Sequence, residues 1–167
     1  YLEPIARYQT VDLLDDGDQG WMAPLTIGPV PVGSARTHGA GTDGTILTWG
    51  NGLYLSLRAQ RRLRDQHGEH WRVVDLRWLA PLPVDDLLAE SVATGRVLVV
   101  DETRYSGGVG EAIVAALVAG GFRGSVDRIA ANDTFIPLGA AAELVLLDED
   151  QIVIAARDVG RVGRVGR

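Results

Sequence analysis

The chain has 167 residues, 46% hydrophobic and 23% charged, which suits one domain with a hydrophobic core and excludes an unfolded chain. A net charge of −6 argues against a nucleic-acid partner, and the absence of cysteine excludes disulfides, thiol nucleophiles, iron–sulfur clusters and thiolate zinc sites. All 16 basic residues are arginine, so Schiff-base lysines and the phosphate-gripping lysine of a P-loop are excluded too.

The chain opens on Tyr1 without a charged-then-apolar leader, and its longest mostly apolar stretch, Ala112 to Phe122, is far short of the roughly 20 residues of a membrane span. A piece of a longer cytoplasmic protein is expected, with no membrane or nucleic-acid partner. Residues 1–43 read as a linker or arm: Asp12, Asp15, Asp16 and Asp18 make an acidic stretch, and Pro24, Gly28, Pro29, Pro31 and Gly33 punctuate an extended segment. The acidic cluster has the residue type of a cation site, but no glutamate closes a calcium-loop spacing, so a solvated loop is the expectation.

From Thr45 the pattern becomes regular. Thr45 to Trp49 predicts a buried strand ending in the turn Gly50-Asn51-Gly52. A helix follows from about Leu53 to Gln66, with Leu53, Leu57 and Leu63 inward and Arg58, Arg61, Arg62 and Arg64 outward. Trp71 to Leu76 predicts a second strand, followed by a Pro81/Pro83 turn. The next helix begins at Asp85 and Asp86, runs to about Val92 and ends at Gly95. Arg96 to Asp101 is a continuous apolar strand, as expected where both faces of a sheet are covered. Residues 102–108 read as a loop, Val109 to Val118 as an alanine-rich helix and Ser125 to Ala130 as a fourth strand. Ala140 to Leu147 and Asp148 to Ala156 read as helical, with Asp148 as a cap, and the Val-Gly-Arg repeats of residues 158–167 as a disordered tail. Strands alternating with helices imply an α/β fold with a mainly parallel sheet and helices on both faces.

Two glycine turns are candidate sites. Gly50-Asn51-Gly52, with Asp75 on the next strand, has the outline of a dinucleotide site, but the third glycine of that fingerprint falls at Leu55. A free-standing nucleotide-binding module therefore stays open as an alternative. Ser106-Gly107-Gly108-Val109-Gly110-Glu111, with Arg104 beside it, either binds an anion on free N–H groups or lets a loop lie flat against another domain or subunit; the second is expected. Asp101 and Glu102 end a central strand where open α/β sheets place functional groups, yet adjacent side chains on a strand point to opposite faces. His67-Gly68-Glu69-His70 lacks a third strong metal ligand, His38 stands alone in the arm, and no serine sits in a Gly-x-Ser-x-Gly elbow.

Several segments, in order, resemble the C-terminal domain shared by transketolases and the β subunits of thiamine-diphosphate-dependent 2-oxo acid dehydrogenases. They are Tyr1-Leu2-Glu3-Pro4, Pro31-Val32-Gly33-Ser34-Ala35, Gly44 to Gly50, Val74-Asp75-Leu76-Arg77-Trp78-Leu79-Ala80-Pro81-Leu82, Arg96 to Glu102, Ser106 to Ile113, and Arg128 with Asn132-Asp133-Thr134-Phe135-Ile136-Pro137. Val109 departs from the usual aromatic of that pattern.

The resemblance implies a three-layer α/β/α sandwich over residues 44–157, with a mostly parallel five-stranded sheet and one antiparallel edge strand, after an arm (1–43) from a preceding pyrimidine-binding domain. It implies a parent that binds thiamine diphosphate and magnesium outside this segment, decarboxylates a 2-oxo acid and acylates a lipoyl group. This segment would then hold no cofactor, metal or catalytic residue and would serve assembly, with preceding domains or an α subunit, in a homo- or hetero-oligomer, and with a lipoyl acyltransferase. Arg77, Asp101, Glu102, Arg104, Ser106, Gly107, Gly108 and Asp133 are its interface or anion-binding candidates. A transketolase or deoxyxylulose-phosphate synthase-like parent shares the domain and stays open.

Overall fold

The computed structural model describes residues 3–23 and 29–161. Tyr1, Leu2, Pro24, Gly28 and the last six residues of the expected tail lie outside them.

Five strands form one sheet: β1 (Arg36–His38), β2 (Gly44–Thr48), β3 (Trp71–Asp75), β4 (Arg96–Arg104) and β5 (Ser125–Ala131), in the spatial order β1-β3-β2-β4-β5. β2, β3, β4 and β5 run parallel, and β1 pairs antiparallel with β3, placing Arg36 opposite Asp75 and His38 opposite Val73. The helices are α1 (Asn51–His67), α2 (Val84–Thr94), α3 (Val109–Ala119) and α4 (Glu149–Asp158). β1 and a short 3₁₀ turn, Ile5–Arg7, lie inside the stretch read as arm. Three residues between glycines and a proline carry too little alternation to mark a strand.

Strand parity divides the core into two layers. Ile46, Val73, Leu98 and Val100 face α1 and α4 together with Leu63, Ile152 and Ala156. Leu47, Val74, Val97 and Val99 face α2 and α3 together with Leu87, Ile113 and Leu117. All of these are fully buried or nearly so, each large side chain contributing about 1.5–3 kcal/mol, and the central strands are apolar on both faces for that reason. Leu63 is buried on α1 as its spacing predicts, and Leu53 and Leu57 pack at the edge of the same layer.

Helix ends follow local chemistry. Gly95 terminates α2 with φ 69°, a left-handed conformation that glycine adopts without a Cβ clash. Asp148 caps α4 by accepting the Gln151 N–H at 2.8 Å, while the Gln151 side chain accepts the Asp148 N–H. The segment read as helical at Ala140–Leu147 is instead a 3₁₀ turn, Gly139–Leu144, none of whose residues is buried, so no packed face holds a full α-helix there. α4 docks on the arginine face of α1, where Arg58 pairs with Glu149 and Arg62 with Asp150 at 2.6 Å. Val159, counted with the tail, is buried against that layer.

The described residues 3–23 of the arm pack against α1. Arg7 stacks 4.1 Å above the Tyr54 ring, Trp21 meets Tyr54 edge-on at 5.2 Å, Arg58 donates to the Leu13 carbonyl, and Asp15 pairs with Arg61. In the acidic loop, Asp18 accepts the N–H groups of Leu13, Leu14, Asp15 and Gly20, and Asp12 those of Gly17 and Gln19. Those hydrogen bonds hold the Asp18 carboxyl far below the usual carboxylate range. Both carboxylates staple the loop.

Candidate functional site

In an open parallel sheet the ligand crevice lies at the carboxyl ends of the strands, where the strand order reverses. Here that point falls between β2 and β4, with β3 to one side and β5 to the other. The parity that buries Val97 and Val99 toward α3 carries on to Asp101, and the parity of Leu98 and Val100 carries on to Glu102. Consecutive carboxylates therefore leave the sheet on opposite faces and build two different structures.

Glu102 turns toward α1. Its Oε1 accepts the Asn51 N–H at 3.1 Å, and Arg7 Nε donates to Asn51 Oδ1 at 2.5 Å. Gly50 has φ 56°, and a Cβ there would stand 2.7 Å from Glu102 Oε1. The turn thus demands glycine for its backbone and for its space. The anion position at the α1 N-terminus, where a dinucleotide would put its pyrophosphate, holds the chain's own carboxylate. Burial pushes the Glu102 carboxyl up, against the pull of the Asn51 N–H. Asp75, the acid that would hold the ribose, instead accepts the Arg77 N–H at 3.1 Å, and its carboxyl is also pushed up by burial.

Asp101 turns toward α3 and is fully buried. Its Oδ1 accepts the Thr103 N–H and hydroxyl at 2.9 and 2.7 Å, and its Oδ2 accepts the Gly110 N–H at 2.8 Å. Residues 102–108, read as a loop, begin as strand. β4 continues to Arg104 through an irregularity in which Asp101 faces Ala130 and Arg104 faces Ala131, leaving two extra residues on β4. That slack brings Thr103 back onto Asp101. A Cβ at Gly108 would sit 2.5 Å from Asp101 Oδ2, and one at Gly110 2.8 Å from it, so both glycines are needed for closeness.

The same turn continues outward as a surface. Asp133 accepts the Ser106 N–H at 2.7 Å and the Ser106 hydroxyl at 2.6 Å, which hold its carboxyl below the usual range. Gly107 donates its N–H to Glu111, and Arg128 donates to the Tyr105 carbonyl at 2.7 Å while stacking 4.1 Å from the Tyr105 ring. Next to this knot, Phe135 is 97% exposed, Leu138 95% and Ile136 60%.

The structure therefore gathers Asp101, Arg104, Ser106, Gly107, Gly108 and Asp133 at one end of the sheet, sends Glu102 to the other face, and leaves Arg77 apart at the end of β3. Sequence reasoning missed Tyr105 and Arg128, which frame the knot, and the exposure of Phe135, Ile136 and Leu138. The signal for the last three was present, because three large apolar side chains in a loop between polar residues have no strand or helix to bury them. Nothing in the sequence announced Arg7 on Asn51, a contact across 44 positions. Ser106 gives its hydroxyl proton to an exposed carboxylate and touches no histidine, so the arrangement fixes a loop and supplies no nucleophile–base pair.

Residues 33–152 match the family described as the C-terminal domain of transketolase. The chain belongs to that family. Among proteins similar to this transketolase C-terminal domain are the pyruvate dehydrogenase E1 component β subunits of Staphylococcus aureus (strain N315), 32% identical over 132 residues, and of Bacillus subtilis (strain 168), 32% identical over 133. The alignments cover 77% and 78% of this chain but 40% and 41% of those subunits, so the chain spans about two fifths of the relatives it matches. Among solved structures, a split-gene transketolase, an inactive β4 tetramer, superposes with a TM-score of 0.72 at 26% identity, covering 81% of this chain and 45% of that one. A 2-oxoglutarate:ferredoxin oxidoreductase from Magnetococcus marinus shares the fold, with a TM-score of 0.55 at 20% identity over 75% of this chain and 19% of that one. The α/β/α sandwich with one antiparallel edge strand is the architecture that the family resemblance implied. No helix among the described residues is long and apolar enough to cross a membrane.

Proposed function

We propose that this chain is the C-terminal assembly domain of the decarboxylating component of a 2-oxo acid dehydrogenase, working in the cytoplasm. The observation that carries this reading is the contrast at the carboxyl edge. The anion positions at α1 and α3 are filled by Glu102 and Asp101, while Phe135, Ile136 and Leu138 stand bare beside a stiffened loop. A filled crevice next to an uncovered apolar ledge suits contact with protein better than contact with a nucleotide. The similarity to pyruvate dehydrogenase E1 β subunits supports a parent that decarboxylates a 2-oxo acid on thiamine diphosphate and passes the acyl unit to a lipoyl group. The cofactor supplies the carbanion chemistry, and thiamine diphosphate and magnesium belong to the parent's other domains or to an α subunit. Among the described residues, the glycine turns at α1 and α3 are taken by Glu102 and Asp101, which supports that placement. The partners of the ledge are those domains or subunits, with the lipoyl acyltransferase core as a further contact. A transketolase parent is the second reading, favoured by the superposition on the split-gene enzyme.

The test is a double substitution, Phe135→Asp with Leu138→Asp, in the complete parent, followed by mass measurement in solution and turnover of 2-oxo acids. Both side chains are exposed, so the fold should keep its stability to within about 0.5 kcal/mol while the assembled mass and the turnover fall together. Unchanged mass and turnover overturn the assembly reading. A thermal shift of this chain with NAD, ATP, or thiamine diphosphate plus magnesium is the complementary check. Each should leave the melting temperature unmoved, whereas a ligand at a hundred times its Kd would add about 2.7 kcal/mol.

A further inference from the structure

We infer that Arg77, with Arg36 beside it, is a carboxylate-binding prong at the rim of the sheet, taking an aspartate or glutamate from a polypeptide laid over the β1–β3 edge. This holds whichever enzyme the parent is. The backbone is the first observation. Leu76 is fully buried and its N–H is tied to the Thr48 carbonyl at 2.9 Å, while the Trp78 N–H returns to the Leu76 carbonyl at 2.5 Å. That bond closes a γ-turn around Arg77, whose φ is 58°. This turn is the rare, strained form, and a residue with a Cβ adopts it at a cost that glycine would avoid. The Asp75 carboxylate holds it in place by accepting the Arg77 N–H at 3.1 Å.

The side chain that the turn presents acts on its neighbours only through its charge, on Asp75 and His38. Arg77 is exposed, and its guanidinium has no hydrogen bond or ion pair among the described residues. Arg36 on β1, in register opposite Asp75, is likewise exposed and unpaired. Other arginines among the described residues are committed: Arg58, Arg61, Arg62, Arg72 and Arg128 each face a carboxylate. Both free guanidinium groups bear on the same two neighbours, Asp75 and His38. Burial, with the Arg36 charge behind it, shifts the His38 imidazole below its ordinary value, while the Asp75 charge pulls the other way.

The turn fixes where the Arg77 side chain leaves the backbone, and a guanidinium offers a carboxylate two parallel N–H donors that fit its two oxygens. The open rim decides between sources. A free small carboxylate there competes with water and gains little, whereas one carried on a protein surface arrives with its own cover.

The experiment follows the arginine Nε–Hε resonances of this chain by NMR during titration with acetyl-Glu-Asp-Glu-amide, sodium acetate and, as control, sodium chloride at equal ionic strength. The Arg77 resonance should move with the peptide, less with acetate, and not with chloride. Arg77→Gly should raise the melting temperature by about 3 °C, because the strain is relieved, and weaken the peptide at least tenfold. Arg77→Lys keeps the strain and the charge without the fork, so it should leave the melting temperature unchanged and weaken the peptide severalfold. Arg36→Gln leaves the turn untouched and should also weaken it. Acetate binding as tightly as the peptide would replace the protein carboxylate with a free anion and overturn the proposal. So would an Arg77→Gly variant that melts no higher, or one that binds the peptide as before.

Discussion

The turns after β2 and β4 start from the same materials, a parallel strand, a glycine-rich corner and a helix N-terminus, and end differently. At the first, Gly50 and Asn51 are closed over by Glu102 and Arg7, and Tyr54 is covered by the arm, so the corner presents almost nothing outward. At the second, Asp101 closes the inside of the corner equally well, but Ser106, Asp133, Tyr105 and Arg128 stiffen an outer layer that leaves Phe135 and Leu138 uncovered. A glycine-rich turn at the switch point is thus no evidence of a ligand. What separates a spent corner from a working one is whether the chain's own side chains finish the job. The second corner is the one that leaves apolar side chains uncovered, and under the proposed assembly role its rigidity would serve a partner.

The sharpest way to break the second corner is Gly108→Asp. The new Cβ would lie 2.5 Å from Asp101 Oδ2, 2.8 Å from Thr103 Oγ1 and 3.0 Å from the Arg104 carbonyl, and the added carboxylate would face a buried one. A loss of about 3 kcal/mol or more in urea unfolding is expected, with the assembled mass of the parent falling alongside. Asp101→Ala comes next. It leaves the Gly110 N–H and the Thr103 N–H and hydroxyl without their acceptor in a fully buried place, which should cost about 2–4 kcal/mol. The equivalent change in the first corner, Glu102→Ala, should cost less, because it removes one acceptor from a half-buried helix end. Equal losses in the two corners would mean that the distinction drawn between them is wrong.

Most of the frame was legible in the sequence, because it rests on local signals. The alternation of apolar runs with helical spacing marked β2 to β5 and the helices that follow them, Gly95 marked a helix end, and Asp148 marked a cap. The two-face rule for adjacent strand residues also separated Asp101 from Glu102 correctly. What was illegible depends on contacts distant in sequence. β1 exists only because β3 offers it an edge to pair with, and residues 3–23 are held only because Tyr54, Arg58 and Arg61 lie on the side of α1 that they cross. The closed state of the Gly50 turn depends on Glu102, 51 positions away from Asn51, and no local pattern contains that pairing. Arg77 is the opposite case. Its residue type was visible at once, but the positive φ that makes it unusual is a property of a turn that only the buried Leu76 and the Asp75 carboxylate impose.

The gentlest probe of the comparison is Glu102→Gln, which keeps an oxygen for the Asn51 N–H and removes only the charge. Burial raises the Glu102 carboxyl above the ordinary glutamate value of 4.5 in the folded chain. Between the ordinary value and the raised one, the folded protein retains a proton that the unfolded chain has released, so the stability of the natural chain falls as the pH rises through that window and stays reduced above it. The substituted amide has no proton to lose in that range. The variant and the natural chain should therefore melt together near pH 4, and the variant should melt slightly higher by pH 7, because the burial that opposes the charge outweighs the attraction of Arg7. Melting curves collected across that range read the difference directly. If the variant instead melts lower at pH 7, the Glu102 charge is supporting the helix end and Arg7 more than burial opposes it, and the first corner would be an electrostatic latch rather than a filled crevice.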